Sequence, residues 1–274
     1  ISKYPLSSTQ TGIFFLSQMN HSGLALELCY QLILRGIPDD AALEKALYAL
    51  EERHPVLKTR FVLDEGKAWQ YIVSNQKLNI SYYNFLHLTS IERDSKLKQI
   101  IQTELEQSFQ IFDSPLVHYC LIRYAADRTI ILLKVHHLIT DGFSFEILHR
   151  HFAEFYNQYH KGGTLISSDE STYSDYVCWE NELTDTKYYQ ESKSFWEKTV
   201  KPKCDPLELA SDFPRPYPRQ YTGSIFEQQL DQTSKKQLIH LGIQRSVSLA
   251  TVLLTALAIV LYKHSGQNDF YIGV

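Results

Sequence analysis

Residues Thr129 to His136 contain Ile130-Ile131-Leu132-Leu133, apolar on both faces of an extended chain. A strand of that kind is covered on two sides and sits inside a sheet. Its neighbours agree. Leu116 to Tyr124 reads as a strand, and Ala125-Ala126-Asp127-Arg128 reads as the turn joining the two. A helix follows from about Ser144 to Tyr156, with Phe145, Leu148, Phe152, Phe155 and Tyr156 on one buried stripe. The chain therefore belongs to the α/β class, a sandwich of sheet and helices.

Upstream, Leu28 to Leu34 reads as a strand closed by Arg35-Gly36 and Pro38. Asp39 or Asp40 then caps a helix carrying Leu43, Leu47 and Leu50. Phe61 to Leu63 and Trp69 to Val73 form a hairpin around Asp64-Glu65-Gly66, and a polar helix is expected from about Ser90 to Phe109. Residues 161 to 172 are linker-like, which sets a boundary between a unit 1–170 and a unit 171–274. Helical, aromatic-rich sequence runs on to Val200, and Pro206, Pro214, Pro216 and Pro218 mark an extended crossing. Ile225 to Leu230 reads as a strand. Ser246 to Tyr262 carries no charge but is short for a membrane span and broken by hydroxyls, so it reads as a buried core helix.

Charge and cysteines narrow the function classes. Lys plus Arg is 27 against 31 Asp plus Glu, a net charge of -4 without basic clusters. That argues against nucleic acid or an anionic membrane as the main partner. The cysteines at 29, 120, 178 and 204 form no CxxC pair and read as reduced thiols of a cytoplasmic protein, without bridges or metal. The N-terminus has no apolar core of a signal peptide. The chain opens on Ile1, and its single methionine is Met19, so it reads as a piece of something longer.

The chemistry concentrates in His136-His137-Leu138-Ile139-Thr140-Asp141-Gly142-Phe143-Ser144, at the end of the central strand. Neighbouring side chains on a strand point to opposite faces, so only one of His136 and His137 can line a given cleft. An imidazole can accept and return a proton near neutral pH. Asp141 can turn back over the strand end, to orient a histidine or to pair with an arginine. Gly142 permits a sharp turn and a close approach. Ser144 stands where it can cap the next helix or contact a substrate. A structural histidine pair with an Asp cap is the plain alternative. His149 and His151 do not share a helical face, which argues against a metal there.

The stretch matches HHxxxDG, a signature of CoA- and carrier-dependent acyltransferases. Ser7-Ser8-Thr9-Gln10-Thr11-Gly12-Ile13-Phe14-Phe15-Leu16 resembles the opening motif of condensation domains of nonribosomal peptide synthetases. Arg53-His54-Pro55-Val56-Leu57-Lys58-Thr59-Arg60-Phe61 resembles their second motif, RHxxLRTxF, and Tyr173 to Trp179 resembles their fourth, YxDYxxW. Ile272-Gly273-Val274 is similar to the start of the fifth. Order and spacing fit along essentially the whole chain. Lys58 and Gly12 depart from the arginines common at those positions.

The resemblance implies a chloramphenicol-acetyltransferase-like lobe followed by the opening of a second such lobe, with a substrate tunnel between them. It implies amide-bond formation between a donor acyl or peptidyl thioester and an acceptor aminoacyl thioester. Both would ride on phosphopantetheine arms of carrier proteins beside adjacent synthetase domains, with no cofactor bound by this domain itself. His137 becomes the catalytic histidine, as a base or as a positioning group. His136 becomes a packing residue, Asp141 a structural partner of Arg53, and Gly142 the residue that keeps the tunnel open. A stand-alone acyl-CoA or lipid acyltransferase and an inactive carrier-docking module are the competing readings. Without the rest of the second lobe, the chain is expected to show weak or no activity and to self-associate through exposed apolar surface.

Overall fold

The computed structural model describes residues 2–19, 26–164, 171–200, 205–214 and 224–273. It divides into two compact units, Ile1–Gln190 and Glu191–Val274.

The first unit is built on a four-stranded sheet. The strand rich in isoleucine and leucine, β7 (Arg128–His136), is internal. It pairs antiparallel with β2 (Glu27–Arg35) on one side and β6 (Val117–Ala125) on the other. A fourth strand, β5 (Ile80–Asn84), lies parallel to β6. The two faces of β7 and β6 sort by alternation. Tyr119, Leu121, Ile131 and Val135 pack with α2 (Asp40–Arg53) and α4 (Gly142–His160) through Leu43, Leu47, Leu50, Phe145, Leu148 and Phe152. Cys120, Ile122, Ile130 and Leu132 pack on the other face with Ile100 of α3 (Ser90–Glu106). This is the two-sided cover that four consecutive apolar residues require.

The remaining elements follow local rules. Asp39 caps α2 by accepting from the N–H groups of Ala41 and Ala42, and Thr89 with Glu92 closes a capping box on α3. A second sheet, ordered β1-β4-β3, joins β1 (Tyr4–Pro5) to the hairpin of β3 (Thr59–Asp64) and β4 (Lys67–Ile72). That hairpin turns at Gly66, which has φ of 76°. Helix α1 (Ser8–Met19) starts on another capping box: Ser7 Oγ accepts from Gln10 N–H, and Gln10 Oε1 accepts from Ser7 N–H, both at 3.0 Å. Helix α5 (Tyr173–Leu183) is tied to the N-terminus, because Glu180 accepts from Ser8 N–H at 2.8 Å and from Ser8 Oγ–H at 2.6 Å. This bonding ties α5 into the first unit.

Helix α6 (Lys187–Thr199) continues the helical, aromatic-rich stretch. In the second unit, α7 (Gln232–Gln244) and α8 (Leu249–Ser265) form a helical hairpin. A Cβ on Gly242 would lie 2.9 Å from the Val247 carbonyl oxygen, so the turn between the helices needs a glycine there. Two expectations are corrected. Ile225 to Leu230 forms no strand, and Ile225 and Phe226 are fully exposed. Helix α8 lies over the uncharged stretch as read, but none of its residues is buried. Among the described residues no single helix is long and apolar enough to cross a membrane, and the α7–α8 pair is bent by 103°. Residues 205–214 are irregular, as the prolines imply, whereas Pro216, Pro218 and half of the expected linker (165–170) lie outside the described residues.

Candidate active site

Strand β7 ends at His136, and alternation separates the two histidines. His136 stands on the side of Leu132 and is 1% exposed. Its Nδ1 accepts the Leu138 N–H at 3.0 Å, so the ring is neutral with its proton on Nε2. Burial, with the neighbouring His137, lowers its pKa to about 4. The imidazole is thus buried and held by the Leu138 N–H.

His137 stands on the other side. Its backbone is fixed by an N–H donated to Leu26 at 2.8 Å, and its ring borders a cavity of about 240 Å³. Its buried Nδ1 has no hydrogen-bond partner among the described residues. The cavity wall includes Thr9, Gln10, His54, Asp141, Ser144 and Tyr173, so residues from the first four motifs meet there.

The loop after His137 is held from below. Gln10 Nε2 donates to the Leu138 carbonyl at 3.1 Å and to Gln70 Oε1 at 3.1 Å. Gln70 Nε2 donates back to Gln10 Oε1 at 2.7 Å and to the Pro5 carbonyl at 2.8 Å. Gln10 and Gln70 are both buried, and every bond of this network closes on another polar group. Tyr173 joins through its hydroxyl, 3.0 Å from Ser7 Oγ.

Asp141 is the N-cap of α4. Its Oδ1 accepts from Ser144 N–H at 2.8 Å and Ser144 Oγ–H at 2.7 Å. The Ser144 bonds hold this carboxyl below the ordinary aspartate range, helped by His137. Arg53 lines a neighbouring cavity with His54, Arg150 and His151. His54 Nε2 lies 2.8 Å from His151 Nδ1, and the two rings stack at 15°. Burial, His151 and Arg53 lower the His54 pKa to about 4.

Gly142 occupies the first turn of α4, and a Cβ there would touch nothing within 4 Å. Neither backbone conformation nor crowding within the chain demands glycine there. Ser144 closes the capping box from its third position, its Oγ accepting from the Asp141 N–H at 3.1 Å, and it also lines the cavity. Sequence reasoning missed the roles of Gln10, Gln70, His54 and His151. The Ser7-x-x-Gln10 capping-box spacing was the available signal for Gln10.

The family model described as condensation domain matches residues 1–274. The chain belongs to the condensation-domain family. The domain is 27% identical over 270 residues to gramicidin S synthase 2 of Aneurinibacillus migulanus, covering 98% of this chain and 6% of that protein. It is 29% identical over 270 residues to surfactin synthase subunit 1 of Bacillus subtilis (strain 168), covering 98% of this chain and 7% of the relative. The chain thus spans a small part of the curated relatives it matches. Among solved structures, a variant of the starter condensation domain of rhizomide synthetase aligns with a TM-score of 0.76 at 18% identity, over 97% of this chain and 60% of that one. The first condensation domain of the calcium-dependent antibiotic synthetase, solved with a substrate analogue, aligns with a TM-score of 0.75 at 17% identity, over 98% and 63%. The fold of this condensation domain is accordingly a chloramphenicol-acetyltransferase-like lobe with part of a second.

Proposed function

We propose that the domain forms an amide bond in cytoplasmic nonribosomal peptide synthesis. It joins a donor acyl or peptidyl thioester to an acceptor aminoacyl thioester, each on the phosphopantetheine arm of a carrier protein from an adjacent part of the synthetase. The acceptor amine attacks the donor carbonyl carbon. A C–N bond forms, the C–S bond breaks, and the proton lost by the amine leaves with the donor thiol. His137 accepts the amine's hydrogen bond and then its proton. The α4 N-terminus, capped by Asp141 and Ser144, shapes the wall beside it, and Arg53 supports that wall. Gly142 leaves room for the substrate arm where a side chain would intrude. Holding both acyl groups on arms supplies the proximity.

The observation that carries this reading is the His137 imidazole, which borders the cavity with an Nδ1 that has no partner among the described residues, on a strand end fixed from both sides. The test uses the synthetase containing this domain, with loaded donor and acceptor carriers. Intact-protein mass spectrometry of the acceptor should show a gain equal to the donor acyl group, lost in His137→Ala. Full transfer by His137→Ala removes the histidine from the chemistry. Acceptance of an acyl-CoA in place of the carrier marks a stand-alone acyltransferase.

A further inference from the structure

A second cluster of reactive side chains lies on the opposite face of the sheet, under α3. His118 and Cys120 are two residues apart on β6, so both stand on that face. Glu104 reaches them from the last turn of α3. Glu104 and Cys120 are buried, and the His118 side chain is 17% exposed. His118 Nδ1 is 2.9 Å from Glu104 Oε2. Cys120 Sγ is 3.5 Å from Glu104 Oε1 and 3.9 Å from His118 Nδ1. Nitrogen, oxygen and sulfur donors therefore converge within 4.8 Å of one another. Around a tetrahedral zinc, donors at about 2.0–2.3 Å from the ion stand roughly 3.3–3.8 Å apart, close to this triangle.

We propose that Glu104, His118 and Cys120 hold one divalent cation of the zinc class, which fastens α3 to the sheet. Donor type supports that class, because imidazole, thiolate and carboxylate together suit a borderline metal better than magnesium or calcium. The second shell fits as well. His118 Nε2 lies 3.0 Å from Ser81 Oγ, so an Nε2–H bond to the serine orients the ring and leaves Nδ1 for the metal. Three protein ligands leave a fourth position, which the partial exposure of His118 opens to solvent.

Charge balances through one proton. Glu104 offers the carboxylate oxygens that meet His118 and Cys120, and Cys120 enters as a thiol. On binding, the Cys120 S–H bond breaks, sulfur donates the electron pair to the metal, and the proton goes to solvent. The resulting thiolate and Glu104 neutralise the cation. Lys134 is the facing positive group. Its Nζ donates to the Gln107 carbonyl and sits 4.6 Å above the Phe109 ring, so part of its charge is engaged there. Cys29 also faces the cluster.

The same three residues form a satisfied Glu–His–Cys contact without metal, so the experiment must separate the two. The Cys178→Ser, Cys204→Ser form of the chain, treated with chelator, is titrated with cobalt(II). One equivalent should give a thiolate-to-cobalt band in the near ultraviolet and release about one proton. Cys120→Ser should abolish the band and weaken binding at least about tenfold, and Ser81→Ala should weaken it by about tenfold. Melting with and without zinc(II) gives a second readout, a rise in Tm for the parent that Glu104→Gln loses. Absence of the band, its survival in Cys120→Ser, or a melting temperature indifferent to zinc(II) overturns the site.

Discussion

At the residue scale, the loop after His137, the histidine proposed to be catalytic, is held by a glutamine about 130 residues before it in the chain. Gln10 is a donor to Leu138 and Gln70 and an acceptor for Ser7 and Gln70, so Gln10→Ala strands several buried groups. Each orphan costs about 1–3 kcal/mol. Gln10→Ala should lower the melting temperature and the transfer rate together. Gln10→Glu keeps the acceptor role but loses the donor to Leu138, and it should lose transfer rate out of proportion to stability, as read by parallel melts and single-turnover assays. His137 was legible because a doubled histidine at a strand end is a local pattern. The support from Gln10 and Gln70 was not, because no window of sequence holds residues that meet only after folding. The buried histidines also make a pH signature. His136 and His54 fold with pKa values near 4, below the unfolded value near 6.5. The unfolded chain then binds more protons between those values, and stability rises with pH across the window. It is complete above about pH 6.5 and is lost as pH falls towards 4. From pH 7 to pH 5, His136 alone should remove about 2 kcal/mol of unfolding free energy, measurable by urea titration at the two pH values.

At the element scale, α4 shows how a motif residue can serve the helix beside it. Asp141 bonds Ser144 as an N-cap, so asparagine should substitute well and alanine poorly. Asp141→Ala should cost about 1 kcal/mol in thermal or urea unfolding, with Asp141→Asn close to the parent. An equal loss in both would mean that the charge, not the cap, stabilises this site. Helices were legible where a cap and an apolar stripe coincide, as in α2 and α4. Strands were legible when long and two-faced, as in β7. The five-residue β5 was missed because so short a run has no periodicity to count, and its partner is set by the crossover through α3. The converse error fell on Ile225 to Leu230, where β-prone residues meet no ladder. Strand formation is a property of the partner as much as of the segment. Helix α7 went unread although Asp231 accepts from Ser234 N–H as an ordinary cap. The metal triangle was invisible for a similar reason, since its ligands come from a helix and a strand and leave no spacing signature.

At the scale of the whole molecule, the two units differ in how well they cover themselves. The first buries a core on both faces of its sheet. The second leaves Leu253, Leu257, Ile259 and Val260 of α8 each more than 40% exposed. The chain should therefore bind a hydrophobic dye and elute in a concentration-dependent manner above its 31.8 kDa. A constant monomer peak without dye binding contradicts this. The expectation of self-association was legible in the uncharged stretch, but the exposure of that stretch was not, because an apolar helix reads as buried from its composition alone.

The register of β2 against β7 has a consequence during synthesis. Glu27 pairs with His136 and Arg35 with Arg128, so β2 leaves the ribosome about a hundred residues before its partner exists. At about 5–20 residues per second, that edge waits on the order of 5–20 s with its backbone groups unpaired. The Leu26 carbonyl is ready early and receives the His137 N–H only after the whole β2–β7 ladder has emerged, so this bond is the last along that ladder to become possible on a nascent chain.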